Sequence, residues 1–179
     1  MGWRDLVPAL LVLAGISLTG CASQYRLQVR PNGDIVNGGS DLLIDVLPVY
    51  SGMDEELGSI TSDQWFSVRS DSARMKYKGQ YFELQCRNQH QSGPQIQFFS
   101  KPKALAASTW DEATRRLSFP LEDGSGQPLI KVIVFADYQN RGSQVQHSNE
   151  RCVIEKQKLD ADSDGLGFIE VCADFIKYS

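Results

Sequence analysis

The sequence predicts a mainly β protein: a two-layer antiparallel β-sandwich of about seven or eight strands with short helical insertions. Three observations predict it. Alternating apolar and polar residues recur, as in residues 81–87, where Phe82, Leu84 and Cys86 share one face and Tyr81, Glu83, Gln85 and Arg87 the other. Turn signals separate the runs, among them Pro31-Asn32-Gly33-Asp34 and Gly124-Ser125-Gly126-Gln127-Pro128. Helical signals are short, and none has the length of a bundle helix.

The chain opens with a different kind of segment. Residues 1–20 have the parts of a secretory leader: a polar start with Arg4, an apolar region from Leu6 through Leu18, and small residues before a cut. Its apolar core, interrupted by Pro8, is shorter than the roughly 20 residues that span a bilayer. It ends in Leu18-Thr19-Gly20-Cys21, which resembles the lipobox of bacterial lipoproteins. That resemblance implies cleavage before Cys21 and acylation of its thiol and new amine, so that outer-membrane lipid becomes its first partner. Acyl chains at about 0.8 kcal/mol per buried methylene make such anchoring effectively permanent. Ala22 stands where an aspartate commonly retains these proteins in the inner membrane. The resemblance therefore implies the periplasmic face of the outer membrane.

The expected organisation is a leader at residues 1–20, a lipidated tether at 21–40 and one sandwich domain at 41–179. A mature chain of about 160 residues suits one core. The tether is rich in Asn and Gly, with one edge strand at residues 25–30. As a flexible leash of about 20 residues it would have a root-mean-square reach of roughly 25 Å. A net charge of −4 with no block of Lys or Arg argues against nucleic acid and against electrostatic adhesion to anionic lipid.

Residues 41–49 (DLLIDVLPV) form the first strong strand, with Pro48 marking an edge or a bulge. Thr61-Ser62-Asp63-Gln64 reads as a capping box that starts a helical turn carrying Trp65 and Phe66. Further strands are expected at residues 81–87, 95–99 and 116–121, and a helical turn at 103–108. Residues 129–138 (LIKVIVFADY) are apolar on both parities, as a central strand covered on both faces would be.

The last segment reads as a hairpin. Alternating runs at residues 151–159 and 167–178 flank Asp160-Ala161-Asp162-Ser163-Asp164-Gly165. Symmetry about Asp162 sets Cys152 opposite Cys172, which predicts a disulfide closing a loop of about 20 residues and contributing about 3 kcal/mol. With Cys21 lipidated, Cys86 is the remaining thiol of four cysteines, and strand parity buries it.

Candidate chemistry is sparse. Asp160, Asp162 and Asp164 with Gly165 resemble the first half of an EF-hand, with Glu170 near the end of the loop. Two readings follow: a calcium site, the only cofactor the sequence suggests, or a solvated acidic turn. The two histidines, His90 and His147, lie in polar runs, and no G-x-S-x-G nucleophile motif accompanies them. Trp110 and Asp111 are the candidate partner-binding residues, a tryptophan beside carboxylates.

Three segments together resemble the outer-membrane lipoprotein family of type VI secretion systems: the lipobox, DLLIDVLPVY with its following Trp65-Phe66, and VIVFADYQN. That resemblance implies a transthyretin-like sandwich and a loop that binds the periplasmic part of an inner-membrane partner. The expected function is thus a non-catalytic binding or scaffolding lipoprotein. The alternatives are a calcium-stabilised small-ligand-binding lipoprotein and a periplasmic hydrolase.

Overall fold

A computed structural model describes residues 24–33, 36–53, 55–69, 71–89, 95–100, 109–138, 150–161, 166–172 and 175–179. The leader, Cys21, the helical turn expected at 103–108, His90, His147, Asp162 and Asp164 lie outside the described residues.

The described strands are β1 (Gln24–Pro31), β2 (Leu42–Tyr50), β3 (Phe82–Gln89), β4 (Gln95–Ser100), β5 (Thr109–Asp111), β6 (Arg116–Pro120), β7 (Leu129–Ala136), β8 (Arg151–Glu155), β9 (Leu166–Val171) and β10 (Ile176–Tyr178). They form two five-stranded sheets, ordered β10-β9-β1-β6-β5 and β4-β3-β2-β7-β8. Every pairing is antiparallel except β1 with β9. The expected two-layer β-sandwich is what the chain adopts. Its core lies between the sheets, where Leu27, Val29, Leu117, Phe119, Ile169 and Val171 meet Ile44, Val46, Leu84, Cys86, Val132, Val134 and Ile154.

The second sheet carries another apolar layer on its outer face. There Leu47, Val49, Ile133 and Phe135 are covered by Leu57, Trp65 and Tyr77. These covering residues come from the 3-10 turn Glu55–Ser59 and from the short helices α1 (Ser62–Trp65) and α2 (Ala73–Lys76), with Tyr77 closing α2. This explains why β2 and β7 are apolar on both parities: both faces are buried. The capping box forms as expected. The Gln64 amide donates to Thr61 Oγ1 (3.3 Å), and the Thr61 amide donates to Gln64 Oε1 (2.9 Å). Pro48 pairs with Val132 beyond the last β3 partner, Phe82, and the register shifts between Val49 and Tyr50, so the proline lies next to a bulge.

Two expectations are corrected. The strand in the supposed tether is no edge: β1 sits between β6 and β9, with Tyr25, Leu27 and Val29 buried. Its polar alternate residues made it look peripheral, because only one of its faces meets the core. The C-terminal hairpin does not form either. β8 joins the second sheet beside β7 and β9 joins the first beside β1, with the helix α3 (Lys156–Ala161) between them. Helix formers at Lys156, Gln157, Lys158 and Leu159 override the apparent alternation, and Leu159 closes the end of the core. The hairpin actually formed is shorter, pairing β9 with β10. Without the Cys152–Cys172 ladder the predicted bridge loses its basis. Among the described residues Cys86, Cys152 and Cys172 form no disulfide, and Cys172 is buried.

Candidate functional site

The most elaborate polar arrangement is built on Asp45, the one charged residue in the apolar strand β2. Its carboxylate faces the outer layer of the second sheet and is fully buried. Burying a carboxylate is costly unless donors meet it. Trp65 Nε1 donates to Asp45 Oδ2 at 2.8 Å, and Arg74 Nε donates to the same oxygen at 2.6 Å. Arg74 also pairs with a second carboxylate on β3, where Glu83 Oε2 is 3.2 Å from Arg74 Nη2. Aromatic rings enclose the group: Trp65 stacks on Phe135 with centroids 4.4 Å apart, Tyr81 meets Trp65 edge-on at 5.4 Å, and Arg74 lies over the Phe66 and Tyr81 rings. Burial pushes the Asp45 carboxyl up, against the opposing pull of Arg74 and Trp65. Arg74 stays protonated because the hydrogen bond and charge of Asp45 outweigh its own desolvation.

This node pins the helical insertion to the sheet, and further ties reinforce it. Ser62 Oγ donates to the Glu150 carbonyl at 2.8 Å, and the Arg151 guanidinium donates to the Gly58 carbonyl. The insertion then displays Val68, fully exposed, and Met75, half-exposed, among the exposed cations Arg69, Lys76 and Lys78. Asp45 carried a signal in the sequence, since a lone charge inside a nine-residue apolar strand demands a partner. Arg74 carried none, because it lies in a polar stretch without a period.

Of the residues suggested for calcium, Asp160 and Glu170 are among those described, and they lie apart. Asp160, in α3, accepts from Tyr25 Oη and pairs with Lys156, both of which hold its carboxyl below the usual range. Glu170, in β9, is met by Lys177, Arg30, Asn32 and Ser179. Tyr25 lies on the core side at the start of β1, whereas Arg30 lies near its end on the other face, so Asp160 and Glu170 do not share a site. No cluster of three or more metal-ligating side chains occurs among the described residues.

Trp110 and Asp111 belong to the edge strand β5 and its turn into β6. Trp110 packs partly against the core, with its buried Nε1 lacking a hydrogen-bond partner. The Asp111 carboxylate accepts from the Ala113 and Thr114 amides and from Thr114 Oγ1, and the Thr114 contacts hold its carboxyl low. It builds its own turn. Cys86 lies in the core, where burial pushes its thiol up to about 12. Burial also raises the Cys152 thiol.

Cys21 precedes β1 by three residues. The segments that carry the secretion-lipoprotein resemblance converge elsewhere: Asp45 of DLLIDVLPVY, Trp65 of the following pair and Phe135 of VIVFADYQN are the three sides of the buried node. No protein-family model matches the chain, and no curated protein matches it. Among solved structures it is similar to Lip of Serratia marcescens, a membrane-bound component of the Type VI Secretion System, at 16% identity and a TM-score of 0.44, over 88% of this chain and 96% of that one. It is also similar to the C-terminal domain (869–1107) of the type VI protein TssM from EAEC, at 11% identity and a TM-score of 0.42, over 87% and 97%.

Proposed function

We propose that this chain is a lipid-anchored, non-catalytic binding or scaffolding module on the periplasmic face of the outer membrane, and that it serves a type VI secretion envelope complex. The observation that carries the reading is the placement of the lipobox cysteine. Three residues after Cys21 the chain enters β1, which is paired on both sides and buries Tyr25, Leu27 and Val29. An anchor joined to a central strand makes the membrane attachment and the folded body one mechanical unit. The secretion-system setting is supported by the sequence resemblance, whose β2, α1 and β7 segments meet in the Asp45 node.

In this reading the rigid sandwich holds its loops at a set distance from the bilayer and presents them to a protein partner of the periplasm or inner membrane. Metabolic labelling with a fatty acid tests the anchor: label in the wild type and none in Cys21→Ser is expected. Label persisting in Cys21→Ser, or absent from the wild type, removes the reading. Affinity purification from detergent-solubilised envelope tests the setting. A large inner-membrane secretion component is expected with the acylated chain, and its absence argues for a different partner.

A further inference from the structure

We propose that one end of the sandwich is seated on phospholipid headgroups, a membrane-contact face formed by α3, the turn at residues 51–53 and the loop at residues 121–128. The inference rests on acylation of Cys21. Three Cα–Cα steps of 3.8 Å separate Cys21 from Gln24, so the first residue of β1 lies within about 11 Å of the anchored cysteine whatever path the chain takes. A root this short leaves no room for the roughly 25 Å reach of a flexible leash. The eight residues of β1 then carry the fold away from the anchor by about 3.3 Å each.

Pairing shows which elements share the anchored end. Gln24 lies opposite Pro120, the last residue of β6, and Arg26 opposite Leu166, the first of β9. Tyr50 Oη donates to the Pro120 carbonyl at 3.1 Å, and the Ser51 amide donates to Pro128 O at 2.8 Å, which brings both loops to this end. Tyr25 Oη donates to Asp160, so α3 closes the same end with Leu159 in the core and Gln157, Lys158 and Asp160 exposed. The opposite end carries Asn32 and Gly33 after β1, Glu112 and Ala113 in the β5–β6 turn, and Arg87 of β3. It points away from the membrane.

Charge does not drive the seating. Arg26, Lys131, Lys156 and Lys158 at the anchored end are matched by Glu122, Asp123, Glu155 and Asp160. Contact is imposed by the short root, and zwitterionic lipid suffices for it.

The test uses the full acylated chain in phosphatidylcholine vesicles containing a headgroup-nitroxide phosphatidylcholine. Gln157→Trp places an added indole at the anchored end, and Glu112→Trp places one at the other; wild-type emission is subtracted from both. Nitroxide quenching at position 157 is expected to exceed that at position 112 roughly threefold, given the strand length between them. Inserting about 20 Gly/Ser residues after Ser23 is expected to equalise the two. Equal quenching without the insertion, or a difference that survives it, overturns the seating. Lys158→Trp supplies a second probe if Gln157→Trp misfolds. A chain that fails to float with the vesicles or lacks acyl mass overturns the lipoprotein reading itself, a result separable from equal quenching in a floating chain.

Discussion

At the scale of single residues, two carboxylates in this chain do opposite things. Asp45 is buried with Arg74 and Trp65 as its donors; removing it leaves the buried Trp65 N–H without its acceptor and Arg74 with Glu83 alone. Asp45→Ala is therefore expected to destabilise by about 3–5 kcal/mol, measured by urea unfolding, whereas Asp45→Leu with Arg74→Met recovers only part of that loss, because the buried Trp65 N–H still lacks its acceptor. A double variant as weak as the single one would show that the pair holds the insertion by more than charge compensation. Glu170 lies on the outer face of the first sheet, covered by its partners, and Lys177 first, then Arg30 and Asn32, lower its carboxyl from 4.5 to about 2. A carboxyl depressed by folding adds stability above its unfolded value, and that stability is lost as pH falls through the folded one. Between pH 4.5 and pH 2 the wild type should lose stability that Glu170→Gln never had. The gap in Tm between the two, a few degrees at neutral pH because Arg30 and Lys177 are half-exposed, closes near the bottom of that window. A gap independent of pH would assign the effect to shape instead of charge.

At the scale of elements, strand faces were legible and strand partners were not. Alternation at Phe82, Leu84 and Cys86 and the doubly apolar run of β7 reported burial correctly, because each residue senses only whether its face is covered. Pairing depends on where connections lead. The stretch from Arg151 to Val171 offered two alternating runs about a turn, and the helix α3 sends them to different sheets. Leu159 fits an alternating strand and a one-turn plug equally well, so periodicity could not decide. The capping box was legible because it is local, and Thr61→Ala should cost about 1 kcal/mol by loosening the first turn under Trp65. Arg74, which completes the Asp45 node, was illegible because its meaning comes from a contact with another element. Gly167 shows the same dependence. A Cβ there would collide with the hydroxyl-bearing edge of the Tyr178 ring of β10. Gly167→Ala must displace that ring, and thermal melting should show a loss of about 1–3 kcal/mol. If Gly167→Ala melts like the wild type, the ring moves freely and β10 contributes little.

At the scale of the whole molecule, the position of β1 decides where the folded body begins. Composition places the boundary at Asp41, after an Asn- and Gly-rich stretch, whereas among the described residues strand pairing already includes Gln24. Removing β1 splits the first sheet into a β10-β9 pair and a β6-β5 pair, since it is the strand that joins them. It also takes Tyr25, Leu27 and Val29 out of the core. At about 1.5–3 kcal/mol for each buried side chain this approaches the entire 5–15 kcal/mol by which domains are stable. A chain starting at Gln24 should therefore unfold in one cooperative transition, followed by far-UV circular dichroism against temperature, and a chain starting at Asp41 should show none. A cooperative melt of the shorter chain at the same Tm would make β1 dispensable and return residues 21–40 to the role of a leash. With β1 required, force applied to the chain ahead of Gln24 enters the fold through the strand that holds its first sheet together.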